Sequence, residues 1–235
     1  MLNTLFLIPA RAGSKGLPKK NTKILGGKSL IGYTIEFAFE NASKNDLICV
    51  STNDMDVVEI AKKNYGLDVP FIRSEELSND TASTFDVIIH ALNFYKKNGI
   101  YFEKLMLLQP TSPYRTRDDF QKINDIYRKT GADMVVSVKK SKESPYFSLF
   151  EEDRSGLLRR FITNTTYLTR QECPPVYVYN GSMYLVKISK FQEMKNFNFE
   201  NIVKFEMPDY RSIDIDTQFD WAMAEYYNNI YYENN

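Results

Sequence analysis

The sequence is poor in the residues that commonly carry covalent or metal chemistry. It has two cysteines, Cys49 and Cys173, which are far apart and lack the spacing of a metal site. This pattern is typical of a reduced protein with two ordinary thiols. The one histidine, His90, lies in the apolar helical pattern DVIIHAL, and we interpret it as a core residue. None of the three is therefore a candidate nucleophile or general base.

The chain also lacks an excess of charge and a long hydrophobic run. Lys plus Arg equals Asp plus Glu, 30 of each, whereas a dedicated nucleic-acid binder usually carries a basic excess. The first apolar run, residues 5–10, is interrupted by Arg11 and is too short for a signal peptide or a membrane span. We expect a cytoplasmic protein with no nucleic-acid partner and no membrane partner.

Apolar strands and amphipathic helices alternate along the first 140 residues. With 43% hydrophobic residues in 235, the chain can fill the core of one α/β domain. The alternation is typical of a mostly parallel open sheet covered by helices on both faces, with ligands bound at the carboxyl ends of the strands. Strands are predicted at 4–9, 47–51, 104–108, 134–138 and 178–186, and helices at 30–40, 55–65, 85–97, 117–129 and 216–227.

A different pattern begins near residue 141. Residues 141–179 are rich in aromatic, proline and charged residues and have weak periodicity, which predicts β-hairpins that project from the sheet. Several apolar residues there follow no core-facing period, and so much apolar surface on a projection should find a partner. They are Tyr146, Phe147, Phe150, Leu157, Leu158 and Phe161.

The first loop, RAGSKGLPKKN, follows the first predicted strand. Gly13 and Gly16 let the backbone turn and approach a ligand closely, so that backbone N–H groups can bind phosphate oxygens. Arg11, Lys15 and Lys20 add positive charge. The loop is neither a Walker P-loop nor a Rossmann fingerprint. It indicates an anion site, with an ordinary surface turn and solvated lysines as the alternative.

Two carboxylates, Asp214 and Asp216, lie two residues apart in the segment SIDIDT. In an extended segment such residues point the same way. Mg²⁺ accepts one or two carboxylates and takes waters and substrate phosphates as its other ligands. The alternative is that Asp216 caps the following helix while Asp214 is solvated. Gln109, in the turn QPTSP after another strand, can hydrogen-bond a sugar or base, unless the turn is only a rigid connection.

Taken in order, the segments IPARAGSKGLPKKN, RSEELSNDTAST, LLQPTSPYRT, YNGSMYL and SIDIDT resemble the acylneuraminate cytidylyltransferases, also called CMP-sialic acid synthetases. The resemblance implies a nucleotide-diphospho-sugar transferase fold in one domain, 1–235, with 141–179 as a dimerisation and sugar-site excursion. It also implies Mg²⁺-dependent transfer of CMP from CTP to the anomeric hydroxyl of an acidic nine-carbon sugar, with release of pyrophosphate, by a homodimer.

The resemblance also implies roles for individual residues. Lys20, Asp214 and Asp216 would be catalytic, with the two aspartates as metal ligands. Arg170, in the excursion, would bind the carboxylate of the sugar across the dimer interface. Nucleotide binding is expected from Arg11, Gly13, Ser14, Lys15, Lys20, Asn21, Arg73 and Thr84, and substrate binding from Gln109, Arg170, Tyr179 and Asn180.

Two other functions stay open at this point. One is a cytidylyltransferase for a different acidic sugar such as the eight-carbon acid KDO, although the first loop of that family lacks glycines of the GSKG type. The other is a non-catalytic nucleotide-binding protein, although both aspartates are present. The acceptor is equally open, because sialic acid, its deaminated form KDN, legionaminic acid and pseudaminic acid differ far from the anomeric centre.

Overall fold

The computed structural model describes residues 2–14, 16–163, 167–194 and 197–232. The strands in these ranges are β1 Leu2–Pro9, β2 Ile24–Leu25, β3 Lys28–Ser29, β4 Leu47–Ser51, β5 Phe102–Leu108, β6 Met134–Lys140, β7 Phe150–Glu152, β8 Leu158–Arg160, β9 Tyr177–Lys187 and β10 Ile202–Glu206. The α-helices are α1 Leu30–Asn41, α2 Met55–Tyr65, α3 Thr84–Lys97, α4 Arg117–Thr130, α5 Ile188–Met194 and α6 Gln218–Tyr227.

A six-stranded sheet in the order β10-β6-β9-β5-β1-β4 forms the centre of the fold. β1 is parallel to β4 and β5, and β10 is parallel to β6, whereas β9 runs antiparallel between β5 and β6. β9 is antiparallel because the chain leaves the sheet after β6 and re-enters at the same end, where Tyr177 pairs with Lys140. The predicted fold class, a mostly parallel α/β sheet, is confirmed.

The first strand shows why helices cover both faces of the sheet. Four consecutive residues of β1 are 0% exposed, from Leu5 to Ile8. Phe6 and Ile8 belong to a core shared with α1, α2 and α4, while Leu5 and Leu7 belong to a core shared with α3 and α5. A strand buried on both faces reads as a continuous apolar run, which is what the sequence shows.

Local signals fix the helices that approach the site. α4 begins with a reciprocal capping box between Thr116 and Asp119, and α6 begins with the same arrangement between Thr217 and Asp220. Each box satisfies backbone N–H groups that the first helical turn leaves free. The first turn of α6 therefore holds the segment before it, including Asp216, at a defined place.

The structure adds elements that periodicity did not predict. α5 has seven residues and β10 is a short strand at the sheet edge, so neither produces a long periodic signal. β9 begins at Tyr177, so the last three residues of the expected excursion pair with β6. Within the described part of the excursion, β7 and β8 form one hairpin whose six residues are all exposed.

Across the described ranges, every helix falls short of the length and apolar character that crossing a membrane requires.

Candidate functional site

A cavity of about 510 Å³ opens where strands β1 and β5 end. These strands are parallel neighbours, so their carboxyl ends meet at one edge of the sheet. The segment before α6 and the first residue of α3 complete the walls. Most of the predicted nucleotide-site residues line this cavity, together with Gln109 and Asp216: Arg11, Ser14, Lys20, Asn21, Arg73 and Thr84.

Positive charge is concentrated on one wall of the cavity. Arg73 is 4% exposed, and its Nε donates a hydrogen bond to Ser78 Oγ at 3.1 Å. Its buried Nη2 has no hydrogen-bond partner among the described residues. Burial, together with the positive charge of Arg11, lowers the pKa of Arg73 to about 10. Because Arg73 also lines the cavity, an anionic ligand bound there would lie beside a desolvated positive charge.

Glycine shapes the loop after β1 in two ways. Gly13 has a φ of 77° in open space, a conformation that favours glycine. Gly16 packs so closely that a Cβ there would lie 2.3 Å from the carbonyl oxygen of Asp216. Asn21 also anchors the loop, since its Nδ2 donates to the carbonyl of Arg11 at 3.1 Å. Lys15, predicted to bind nucleotide, lies outside the described residues.

Lys20 joins this loop to the carboxylate segment. Its side chain is buried, and its Nζ lies 2.6 Å from Asp216 Oδ1. The alternative prediction that Asp216 caps α6 is wrong, because Thr217 is the N-cap and its Oγ1 accepts from the backbone N–H of Asp220. The Asp216 carboxylate is therefore left to face the cavity and Lys20.

Asp214 occupies a different environment from Asp216. It accepts a hydrogen bond from the side chain of Thr111, and a Cβ on Gly181 would lie 3.2 Å from its Oδ2. The next residue, Ile215, donates its N–H to the carbonyl of Thr111 at 2.8 Å. The pKa of Asp214 is raised, because desolvation outweighs the Thr111 hydrogen bond and Asp216 adds repulsion. Asp214 thus lies between the turn after β5 and strand β9.

The two aspartates suit a hard cation for which the protein supplies only some of the ligands. The described residues contain no group of three or more His, Cys, Asp or Glu side chains able to hold a metal. Mg²⁺ commonly binds through one or two carboxylates and completes its shell with phosphates and waters. Asp214 and Asp216 could hold such an ion beside the oxygens of a bound triphosphate.

Three predicted substrate residues lie outside the cavity lining. Asn180 is 1% exposed; its Oδ1 accepts from Ser137 Oγ at 2.7 Å and its Nδ2 donates to Ser212 Oγ at 2.9 Å. Its amide thus joins β9 to the segment before Asp214, and both of its polar atoms have partners within the chain. The substrate contact predicted for Asn180 stays a prediction. Tyr179 is half-exposed on β9.

Arg170 is separated from the nucleotide cavity within one chain. It lines a second cavity of about 430 Å³ at the base of the excursion, together with Lys140 and Lys142. Within one chain, Arg170 therefore lines a different cavity from Asp216.

One residue was not singled out in the sequence. Arg115 is buried beneath the turn after β5, and its Nη2 donates to the carbonyl oxygens of Gln109 and Ser112. Its Nε donates to Ser182 Oγ at 3.2 Å. Burial lowers the pKa of Arg115 to about 9, against the attraction of Asp119. The signal available was an arginine directly after QPTSPY, at a point where two prolines had already marked a turn.

Two of three similar proteins carry names that describe the activation of an acidic sugar with CMP. The chain is 34% identical over 225 residues to the CMP-N,N'-diacetyllegionaminic acid synthase of Legionella pneumophila, with 95% of each chain covered. It is 30% identical to the N-acylneuraminate cytidylyltransferase of Streptococcus agalactiae, where 99% of this chain corresponds to 57% of that protein. The chain is 29% identical to the post-translational flagellin modification protein B of Campylobacter coli, with 96% and 95% covered.

Solved structures share the fold. The synthetase for CMP-2-keto-3-deoxy-manno-octonic acid, complexed with CTP, superposes with a TM-score of 0.67 at 17% identity, covering 98% of this chain and 99% of that one. The 4-diphosphocytidyl-2C-methyl-D-erythritol synthase of Anaerococcus prevotii superposes with a TM-score of 0.63 at 16% identity, covering 97% and 99%. Residues 5–235 match the sequence profile of the family described as Cytidylyltransferase. The predicted family resemblance is confirmed, and the chain belongs to the cytidylyltransferase family of nucleotidyltransferase enzymes.

Proposed function

We propose that the protein transfers CMP from CTP to the anomeric hydroxyl of an acidic nine-carbon sugar and releases pyrophosphate. The observation that carries the proposal is the cavity lined by three cationic residues, Arg11, Lys20 and Arg73, together with the carboxylate-bearing Asp216. The anomeric hydroxyl loses its proton to water, its oxygen forms a bond to the α-phosphorus, and the bond from that phosphorus to the pyrophosphate oxygen breaks. Such a displacement needs alignment and charge neutralisation rather than a protein nucleophile.

The cationic residues have separable roles in this proposal. Arg73 brings to the cavity wall a guanidinium whose buried Nη2 lacks a partner among the described residues, and its charge suits a nucleotide oxygen. Arg11 and Lys20 neutralise the triphosphate, while Asn21 keeps the loop in register by holding the Arg11 carbonyl. Thr84, at the start of α3, places a hydroxyl at the cavity wall.

Asp214 and Asp216 would hold Mg²⁺ in this proposal. When bound, the ion supplies charge stabilisation to the phosphates and favours ionisation of the attacking hydroxyl. Asp216 lines the cavity, whereas Asp214 lies toward β9. There the pKa of Tyr184 is raised mainly by desolvation and further by the negative charge of Asp214. The pair therefore spans the nucleotide cavity and the side where the sugar would enter.

The acceptor we favour is N,N'-diacetyllegionaminic acid. The Legionella relative that carries this name is covered over 95% of its length, whereas the streptococcal relative is covered over 57%. Gln109 lines the cavity at the end of β5 and is suited to a sugar hydroxyl.

We also propose a homodimer in which Arg170 binds the carboxylate of the sugar in the partner's site. An isolated two-stranded hairpin is marginal in water, yet β7 and β8 expose Phe150 and Leu158 at 46% and 68%. A second copy covering this hairpin would account for both features. A cytoplasmic location fits the two free thiols, Cys49 and Cys173.

The decisive experiment measures pyrophosphate release with CTP and Mg²⁺ in the presence of each candidate acid. We expect the highest kcat/KM with N,N'-diacetyllegionaminic acid among that acid, sialic acid, KDN and pseudaminic acid. KDO is the control for the alternative eight-carbon acceptor. Absence of CTP-dependent turnover with all four nine-carbon acids, using protein shown to be folded, would reject the proposal.

A further inference from the structure

The ammonium group of Lys20 forms an ion pair with the carboxylate of Asp216, which a metal ion would need as a ligand. Its side chain is 10% exposed, whereas the side chain of Asp216 is 66% exposed, and the two meet at 2.6 Å. A cation approaching Asp216 from the cavity therefore meets an ammonium group already in place. Both would compete for the same negative charge, and their mutual repulsion acts at short range, where it is weakly screened.

The other acidic groups near Lys20 have partners of their own. Asp214 lies close enough to interact with Lys20 electrostatically, but it accepts its hydrogen bond from Thr111. Asp220 Oδ2 accepts from the backbone N–H groups of Asp216 and Thr217, at 3.1 and 2.7 Å, and is committed to the cap of α6. Asp80 is paired with Arg11 at 2.8 Å. A buried ammonium without a counter-charge is costly, so Lys20 releases Asp216 only when another anion arrives.

We propose that Lys20 keeps the metal site closed until the triphosphate binds. A phosphate oxygen then replaces Asp216 as the ion-pair partner of Lys20. Asp216 is thereby free to bind the divalent ion together with Asp214. The charge balance is kept, because one ion pair is exchanged for a lysine–phosphate pair and a carboxylate–metal pair. Metal and nucleotide loading are thereby linked through Lys20. This inference rests on the proposed CTP-dependent function.

The test measures Mn²⁺ binding to the nucleotide-free protein by the electron paramagnetic resonance signal of free Mn²⁺. We expect no saturable site in the wild-type protein and a gain of affinity of roughly tenfold or more in Lys20→Met, because one repelling charge is removed. Lys20→Arg keeps the charge and should behave as wild type. Lys19→Met is the matched control, since Lys19 is exposed and pairs with Asp56 instead. Adding Asp216→Asn to Lys20→Met should abolish the gained site.

A second experiment changes the carboxylate instead of the lysine and measures the affinity for CTP without metal. In EDTA, Asp216→Asn should bind metal-free CTP several-fold more tightly than wild type by calorimetry, because Lys20 no longer has to leave a carboxylate. Asp214→Asn removes the same charge from a residue that does not pair with Lys20, and should give a smaller gain. Equal Mn²⁺ binding by wild type and Lys20→Met, or equal gains from the two aspartate variants, would overturn the inference. Because the first experiment uses neither CTP nor turnover, its failure is distinguishable from failure of the proposed function.

Discussion

The ammonium of Lys20 lies 2.6 Å from a carboxylate oxygen of Asp216, although 196 positions separate the two residues in the chain. The contact joins the loop after β1 to the segment before α6. Gly16 reinforces it, because its Cα faces the carbonyl of Asp216 with no room for a side chain. Leu17 and Ile215 lie in the same buried cluster beneath. The anion loop and the carboxylate pair are thus one structural unit.

Replacing Gly16 by alanine should separate this unit. A Cβ would meet backbone at 2.3 Å, so the loop or the segment before α6 has to shift. We expect Gly16→Ala to lower kcat/KM at least about tenfold, since displaced groups no longer align the phosphates. Gly99→Ala is the comparison, because it adds only backbone strain of about 1 kcal/mol in open space at a residue outside the cavity lining. Equal losses in steady-state kinetics would contradict the packing role of Gly16.

Removal of the negative charge of Asp214 should stabilise the folded protein. Its raised pKa means that the folded protein holds the proton more tightly than the unfolded chain, with an ordinary value of 3.8. The ionised carboxylate therefore costs stability at pH 7, and this cost vanishes below pH 3.8. Asp214→Asn should raise Tm by roughly 2 °C at pH 7, with a gain that shrinks toward pH 4, while pyrophosphate release is lost.

The matched control for this experiment is Asp68→Asn, which removes an exposed carboxylate paired with Lys62. It should leave both Tm and turnover near wild type. A lower Tm for Asp214→Asn at pH 7 would show that the folded protein favours the ionised carboxylate, contrary to its raised pKa.

Arg73 should matter for nucleotide binding more than for folding. Its Nη2 is buried and meets no hydrogen-bond partner in the part of the chain that the structure describes, so Arg73→Met removes a desolvated charge while keeping much of the side-chain volume. We expect the Kd for CTP, measured by calorimetry, to rise at least about tenfold, with an unchanged or higher Tm. Arg128→Met, at an exposed pair on α4, is the control. A large drop in Tm with an unchanged Kd would assign Arg73 a structural role.

Arg115 should be required for both stability and turnover. Its guanidinium holds the carbonyls of Gln109 and Ser112 and the hydroxyl of Ser182. Arg115→Met would leave these buried acceptors without their donor, and we expect a loss of unfolding free energy on the order of 2 kcal/mol or more in urea titrations. Arg117→Met changes an exposed arginine two residues later and should stay within about 0.5 kcal/mol of wild type.

The dimer proposal predicts complementation between two inactive chains. If Arg170 acts in the partner's site, mixing Arg170→Ala with Asp214→Ala creates heterodimers that contain one intact site. At equal mixing about a quarter of wild-type activity should return, since half of the dimers are mixed and each has one of two sites intact. Native mass spectrometry verifies the exchange. Verified heterodimers without activity, or a monomer in light scattering, would contradict the proposal.

Local sequence determined the elements of this protein. The apolar run of β1 is buried on both sheet faces, and the helix predicted at 55–65 is observed as α2. Such signals are readable in the sequence because apolar periodicity and helix caps involve residues that are close together in the chain. The helix α2, for example, is capped by Asp54 and ends at the left-handed Gly66. The ordered motifs were sufficient to indicate the family, because five such segments in one order are far more specific than any one of them alone.

Only the tertiary structure decided how these residues are used. Asn180 was predicted to bind substrate, and its amide is hydrogen-bonded to Ser137 and Ser212, which lie 43 and 32 positions away. Arg115 is buried because β5, α1 and β9 converge on it, through Gln109, Thr34 and Ser182. Neither outcome follows from local pattern, since a polar side chain takes whichever partner the folded chain brings within hydrogen-bond distance.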